Sequence, residues 1–155
     1  MRRASHSGKT FRAPLPKMHD LDDALELMYF GWRGMTLAAD EYLATLGLSR
    51  PHHRILYVIA RQPGLSVGAL IEVLGISKQG LNGPLNLLIR HDLVTSERSP
   101  EQHRSKLLSL TAEGKRIEHR ASSLERKVMK KAFERVGTAG AEAWMTVMRT
   151  IADSV

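Results

Sequence analysis

Four residues, Leu74-Gly75-Ile76-Ser77, constrain the fold of this chain more than any others. They join two short amphipathic segments. The first is capped by Ser66, with Ala69, Leu70 and Val73 on its inner face; the second is capped by Ser77, with Leu81, Leu85, Leu88 and Ile89 inward. A glycine that stops one helix, followed two residues later by a serine that caps the next, leaves too little chain for antiparallel packing. The second helix must cross the first, which is the helix-turn-helix arrangement.

The surroundings extend that motif. Ser49 caps a preceding helix, Pro51 sits in its first turn, and Ile55, Leu56 and Ile59 form its buried face. Gln62-Pro63-Gly64 is a turn. After His91-Asp92, the segments Leu93–Glu97 and Ser105–Leu110 have strand composition, and the polar stretch Arg98–Arg104 around Ser99-Pro100 turns between them. The expected fold class is therefore mainly α, a winged helix-turn-helix with a short β-hairpin wing over residues 48–111. Long helices flank it. From about Met18, Leu21, Leu25, Met28, Trp32, Met35, Ala39, Tyr42 and Leu46 recur at helical spacing, with Gly47 as the stop and with Gly31 and Gly34 each weakening the helix by about 1 kcal/mol. Thr111 caps a fifth helix carrying Ile117, Ala121, Leu124, Val128, Ala132 and Val136, which Gly137 ends. Thr138 opens a last helix with Trp144, Val147, Met148 and Ile151. Residues 1–16 hold Ser, Gly, Pro and charges without apolar period and read as a disordered basic arm, leaving 17–155 as a single domain.

Charge then narrows the partner. The chain carries a formal +7 with pI near 10.1, a balance suited to polyanions. The sign is not uniform: residues 17–48 are acidic, and basic residues dominate from Ser49 onward. With no cysteine, disulfides, zinc ribbons and thiol chemistry are excluded. No apolar run follows Arg2-Arg3 and none reaches membrane-span length, so a cytoplasmic protein without membrane contact is expected. The carboxylates are scattered, no Gly-rich phosphate loop occurs, and no Ser/His/Asp set is recognisable, so neither an enzyme nor a cofactor is expected. His52-His53 point about 100° apart on a helix and are poorly placed to share a metal.

The helix opened by Ser77 carries Lys78, Gln79, Asn82, Asn86 and Arg90 within an arc of about 120°. Amides hydrogen-bond adenine edges in pairs, and lysine reaches guanine or phosphate. No acid lies between Ser77 and Arg90, as phosphate proximity demands. Pro84 removes the hydrogen bond to the Gly80 carbonyl and predicts a kink, with Gly80 and Gly83 allowing close backbone approach to DNA. At the hairpin tip, Arg104 is the candidate for insertion into a minor groove, with Arg98, His103 and Lys106 on phosphates.

From Leu46 to about Arg120 the sequence resembles the MarR family of winged-helix transcription factors. Leu74-Gly75-Ile76-Ser77-Lys78-Gln79, His91-Asp92-Leu93-Val94, Ser99-Pro100-Glu101-Gln102-His103-Arg104-Ser105-Lys106 and Ser109-Leu110-Thr111-Ala112-Glu113-Gly114 carry the resemblance. It implies a homodimer built by the helices of 17–47 and 112–155, regulating transcription from a pseudo-palindromic duplex site. It also implies a small-molecule effector, for which Met28, Tyr29, Trp32 and His53 are the pocket candidates. Three departures stand out: Gln102 where the family wing carries aspartate, His91-Asp92 in place of a Lys-Gly-type turn, and Gly83-Pro84 inside the recognition helix. These departures keep an alternative open, a winged-helix protein-interaction module that dimerises with its DNA surface idle.

Overall fold

The computed structural model describes residues 21–98 and 106–154. In chain order the elements are α1 (Leu21–Ala44), α2 (Arg50–Arg61), β1 (Leu65–Ser66), α3 (Val67–Leu74), α4 (Lys78–Arg90), β2 (Val94–Arg98), β3 (Lys106–Leu110) and α5 (Ala112–Ala152). The expected arm at residues 1–16 lies outside the described residues. The described chain divides into two units at Arg33/Gly34, the first being the leading part of α1.

Within the second unit, α2, α3 and α4 pack with the sheet and the start of α5 around Ile55, Leu56, Ile59, Leu70, Leu81, Leu85, Leu88, Leu108 and Ile117, all buried. The capping residues that the sequence suggests do cap. Ser66 Oγ accepts the Ala69 N–H at 3.1 Å, Ser77 Oγ that of Gly80 at 3.1 Å and Thr111 Oγ1 that of Gly114 at 3.0 Å. Each satisfies a backbone donor that a helix start would otherwise leave unpaired.

The hairpin is antiparallel, with Val94 opposite Leu110 and Arg98 opposite Lys106. A third strand joins it that the sequence does not announce. The Gln62–Gly64 turn leaves Leu65-Ser66 extended beside β3, pairing Leu65 with Leu108, so the sheet order is β1-β3-β2. Gly64 enters this pairing at φ 81° and donates its N–H to the Leu108 carbonyl at 2.8 Å. Asp92, in the turn between α4 and β2, holds φ 54°, a left-handed conformation that asparagine and aspartate tolerate better than most residues. That explains how the chain manages without glycine there.

Two core expectations change. Val73 is 53% exposed, because α3 buries Leu70 and packs Val67, Ala69, Ile71 and Leu74 partly against the core, leaving Val73 on its outer side. Val128, Val136, Trp144, Val147 and Ile151 are also exposed. The Gly137 break falls where the sequence puts it: the residue takes φ 71° and ψ −178°, interrupting α5. No helix among the described residues is long and apolar enough to cross a membrane.

A close backbone approach ties the wing to α5. Leu93 O accepts the Thr111 N–H at 3.1 Å, Thr111 Oγ1 donates to Asp92 O at 2.8 Å, and a Cβ built on Gly114 would lie 2.0 Å from Leu93 O. Gly114→Ala must displace backbone, and overpacking of this kind costs about 1–3 kcal/mol. Gly34→Ala, in the middle of α1, meets nothing within 4 Å and should stabilise that helix by about 0.5–1 kcal/mol. Urea denaturation checks the pair: opposite signs are expected, and equal effects would contradict the packing described.

Candidate nucleic-acid interface

The tight turn is built by backbone geometry. Gly75 caps α3 in the left-handed region (φ 62°, ψ 33°), its N–H donating to Glu72 O at 3.2 Å and the Ile76 N–H to Ile71 O at 3.4 Å. Ser77 then turns extended (φ −73°, ψ 157°) and starts α4. With Leu81, Leu85 and Leu88 buried, the helix has one permitted orientation, and Lys78, Gln79, Asn82, Asn86 and Arg90 are all exposed on its outer face. Ser77, also a candidate contact, has its Oγ engaged in the cap. Gly83 lies at the edge of the polar face and precedes Pro84, whose ring crowds a Cβ on the residue before it in a helix. The chain remains helical across Pro84 from Lys78 to Arg90.

Beyond α4, Arg98 and Lys106 are exposed and directly paired across the hairpin. Like charges opposite each other destabilise a strand pair, so this end of the wing carries a charge arrangement that a polyanion would relieve. The tip residues His103 and Arg104, with Gln102, lie outside the described residues. Exposed Val73 and Ile76 flank the start of α4. The spacing of Val73 points to the core, and no local sequence signal marks it as exposed.

A polar junction that the sequence does not reveal joins α1, α2 and α5. Arg50 of α2 pairs with Asp40 of α1 at 2.6 Å and with Glu125 of α5, and donates to Thr36 O at 3.1 Å. Its guanidinium also reaches His53 Nδ1 at 3.2 Å. That contact makes Nδ1 the acceptor and leaves Nε2–H to donate to Ser122 Oγ at 3.2 Å; Ser122 in turn donates to Glu118 at 2.6 Å. His53 is 2% exposed. Burial pushes its pKa below the ordinary value, with Glu125 opposing and Arg50 assisting the shift. His52 faces elsewhere and accepts the Ser49 N–H at Nδ1, 3.0 Å away. Among the other pocket candidates, Met28, Tyr29 and Trp32 are exposed on the first unit.

Residues 46–105 match the MarR family. The HTH-type transcriptional regulator PetP of Rhodobacter capsulatus is 35% identical over 133 residues, spanning 86% of this chain and 80% of PetP. The chain belongs to the MarR family of transcriptional regulators. Solved structures agree on the fold of this MarR-family chain. The PcaV regulator of Streptomyces coelicolor with its natural ligand matches at TM-score 0.68 and 18% identity, over 91% of this chain and 97% of PcaV. The repressor CouR on a 23-mer DNA duplex matches at TM-score 0.70 and 24% identity, over 88% of this chain and 98% of CouR.

The junction gives this MarR-family protein a pH dependence of known sign. A histidine whose folded pKa is lowered binds fewer protons folded than unfolded, so its contribution is intact above the unfolded value of about 6.5 and is lost as pH falls below it. Urea unfolding between about pH 5 and 8 should show stability declining on the acid side, with a shallower decline in His53→Gln. The amide can still accept from Arg50 and donate to Ser122. Superimposable pH profiles would place the titration elsewhere.

Proposed function

We propose that the protein binds duplex DNA sequence-specifically as a homodimer and thereby regulates transcription. The observation that carries this reading is the outer face of α4, where Lys78, Gln79, Asn82, Asn86 and Arg90 are exposed together with no acid between them. Base discrimination falls to Lys78, Gln79, Asn82 and Asn86, and phosphate contact to Arg90, Arg98, His103 and Lys106, with Arg104 entering the minor groove. Ser77 contributes through the helix start that it caps. CouR on its duplex supports DNA as the partner for this fold.

Dimerisation is supported by apolar side chains that a solitary chain leaves in water. Leu21, Leu25 and Phe30 on α1, and Val136, Trp144, Val147 and Ile151 on α5, are all exposed, more than a soluble monomer ordinarily shows in two helices. A two-fold dimer implies a pseudo-palindromic site with half-sites about 10 bp apart. Effector response is supported by PcaV, solved with its natural ligand. Met28, Tyr29, Trp32 and His53 are the positions at which to test it, using aromatic acids as first probes.

Fluorescence anisotropy of a duplex from the gene's own upstream region, at two salt concentrations, tests the division of roles. Asn82→Ala should relax sequence preference by about 1–3 kcal/mol, whereas Lys106→Ala should weaken all sequences alike and lower the salt slope by about 1. The same phenotype from both would overturn the assignment. No binding to that duplex or to random DNA at low salt would favour the interaction-module alternative.

A further inference from the structure

The first half of α5 sorts its charges. Lys115, Arg116, Arg120, Arg126, Lys127, Lys130 and Lys131 are seven exposed cations, and they project within an arc of about 160°. His119 lies in the same arc and is also exposed. The acids between Lys115 and Lys131 turn the other way: Glu118 takes the Ser122 hydroxyl and Glu125 pairs with Arg50. Exposed helix faces usually interleave opposite charges at three- and four-residue spacing. Here, among the described residues, only Arg116, with Glu113 at 2.5 Å, and Lys130, with Glu134 at 3.7 Å, pair with a carboxylate. Arg126 donates to Ser123 at 3.0 Å.

From Lys115 to Lys131 the helix advances about 24 Å. Seven cations over that length stand about 4 Å apart along the axis on average, near the roughly 3.4 Å between phosphates along one strand of a duplex. The band also begins where α5 is fastened to the wing, through Thr111, Asp92 and the Gly114–Leu93 contact, so it is held rigidly to the DNA-reading unit. We propose that this band is a second, sequence-independent contact surface for the phosphate backbone of duplex DNA, separate from the face of α4. It goes beyond the base-reading role given to α4 and does not depend on which bases α4 prefers.

The test uses the full chain and a random-sequence duplex. Lys115, Arg120, Lys127 and Lys131 are exposed and make no ion pair among the described residues. Gln matches their helix propensity, so the variant Lys115→Gln/Arg120→Gln/Lys127→Gln/Lys131→Gln keeps the fold. Its affinity for the random duplex should fall roughly tenfold or more at low salt. Its slope of log K against log salt should shrink by about 3–4, at about 0.9 for each phosphate that the variant leaves unneutralised. Asn82→Ala should leave both quantities at wild-type values, which separates this surface from α4.

Contact is distinguished from long-range attraction by acetylating the unaltered protein with and without saturating random duplex; Lys127 and Lys131 should become protected. Undiminished acetylation of these lysines, or an unchanged salt slope in the variant, would overturn the proposal. A weakened dimer with unchanged DNA binding would also overturn it, assigning the band to a second copy's acidic α1 residues Asp22, Asp23 and Glu26. Absence of any duplex binding by the unaltered protein would overturn this proposal and the DNA reading of α4 together.

Discussion

The Arg50 guanidinium holds together the part of the molecule on which the rest depends. It is the first residue of α2, yet its hydrogens are spent on α1, through Asp40 and the Thr36 carbonyl, and on α5, through Glu125. Its side chain is 18% exposed, intermediate between a solvated pair worth about 0–1 kcal/mol and a buried one whose disruption costs about 3–5 kcal/mol. The geometry matters more than the sum. One rigid, planar donor set fixes three helices at one point, and His53, Ser122 and Glu118 carry the pattern inward as a chain of directed hydrogen bonds. α2, held in this way, packs against α3 and α4 through its apolar face of Ile55, Leu56 and Ile59.

A second seam does comparable work at the other end of the core. Thr111 caps α5 and, with the same hydroxyl, donates to the Asp92 carbonyl, while Gly114 lies against the Leu93 backbone. The wing is thereby tied to the helix that follows it. The segment Ser109-Leu110-Thr111-Ala112-Glu113-Gly114, part of the likeness to the MarR family, thus has a mechanical reason. The threonine serves two backbones, and the glycine removes the one carbon that would hold them apart.

What was legible in the sequence was what short-range chemistry dictates. Ser66, Ser77 and Thr111 announce helix starts because a side-chain oxygen three residues before a free N–H has one obvious use. Gly75 and Gly137 mark turns that require positive φ, and the apolar spacing of α4 fixes which of its residues face out. What stayed hidden was long-range or too short to show a period. Arg50 and Glu125 are 75 residues apart, and an arginine on an amphipathic helix has the same local pattern whether solvated or paired. The two residues of β1 cannot display alternation. Val73 fits the apolar spacing of α3, yet it stands one residue from the end of that helix and is exposed. The spacing along Val136, Trp144, Val147 and Ile151 does describe an apolar stripe, but within one chain that stripe has no core to enter, and a second copy of the chain is what our reading places against it.

On this reading, two copies of α4 read one duplex through a two-fold axis. Hydroxyl-radical footprinting of the gene's own upstream region tests it most directly, because it reports position and symmetry together. Two protected patches related by a dyad and centred about 10 bp apart are expected, with further protection where the wings meet the flanking minor grooves. A single unsymmetrical patch, or DNA left uniformly cleaved at protein concentrations where the dimer is formed, would contradict it.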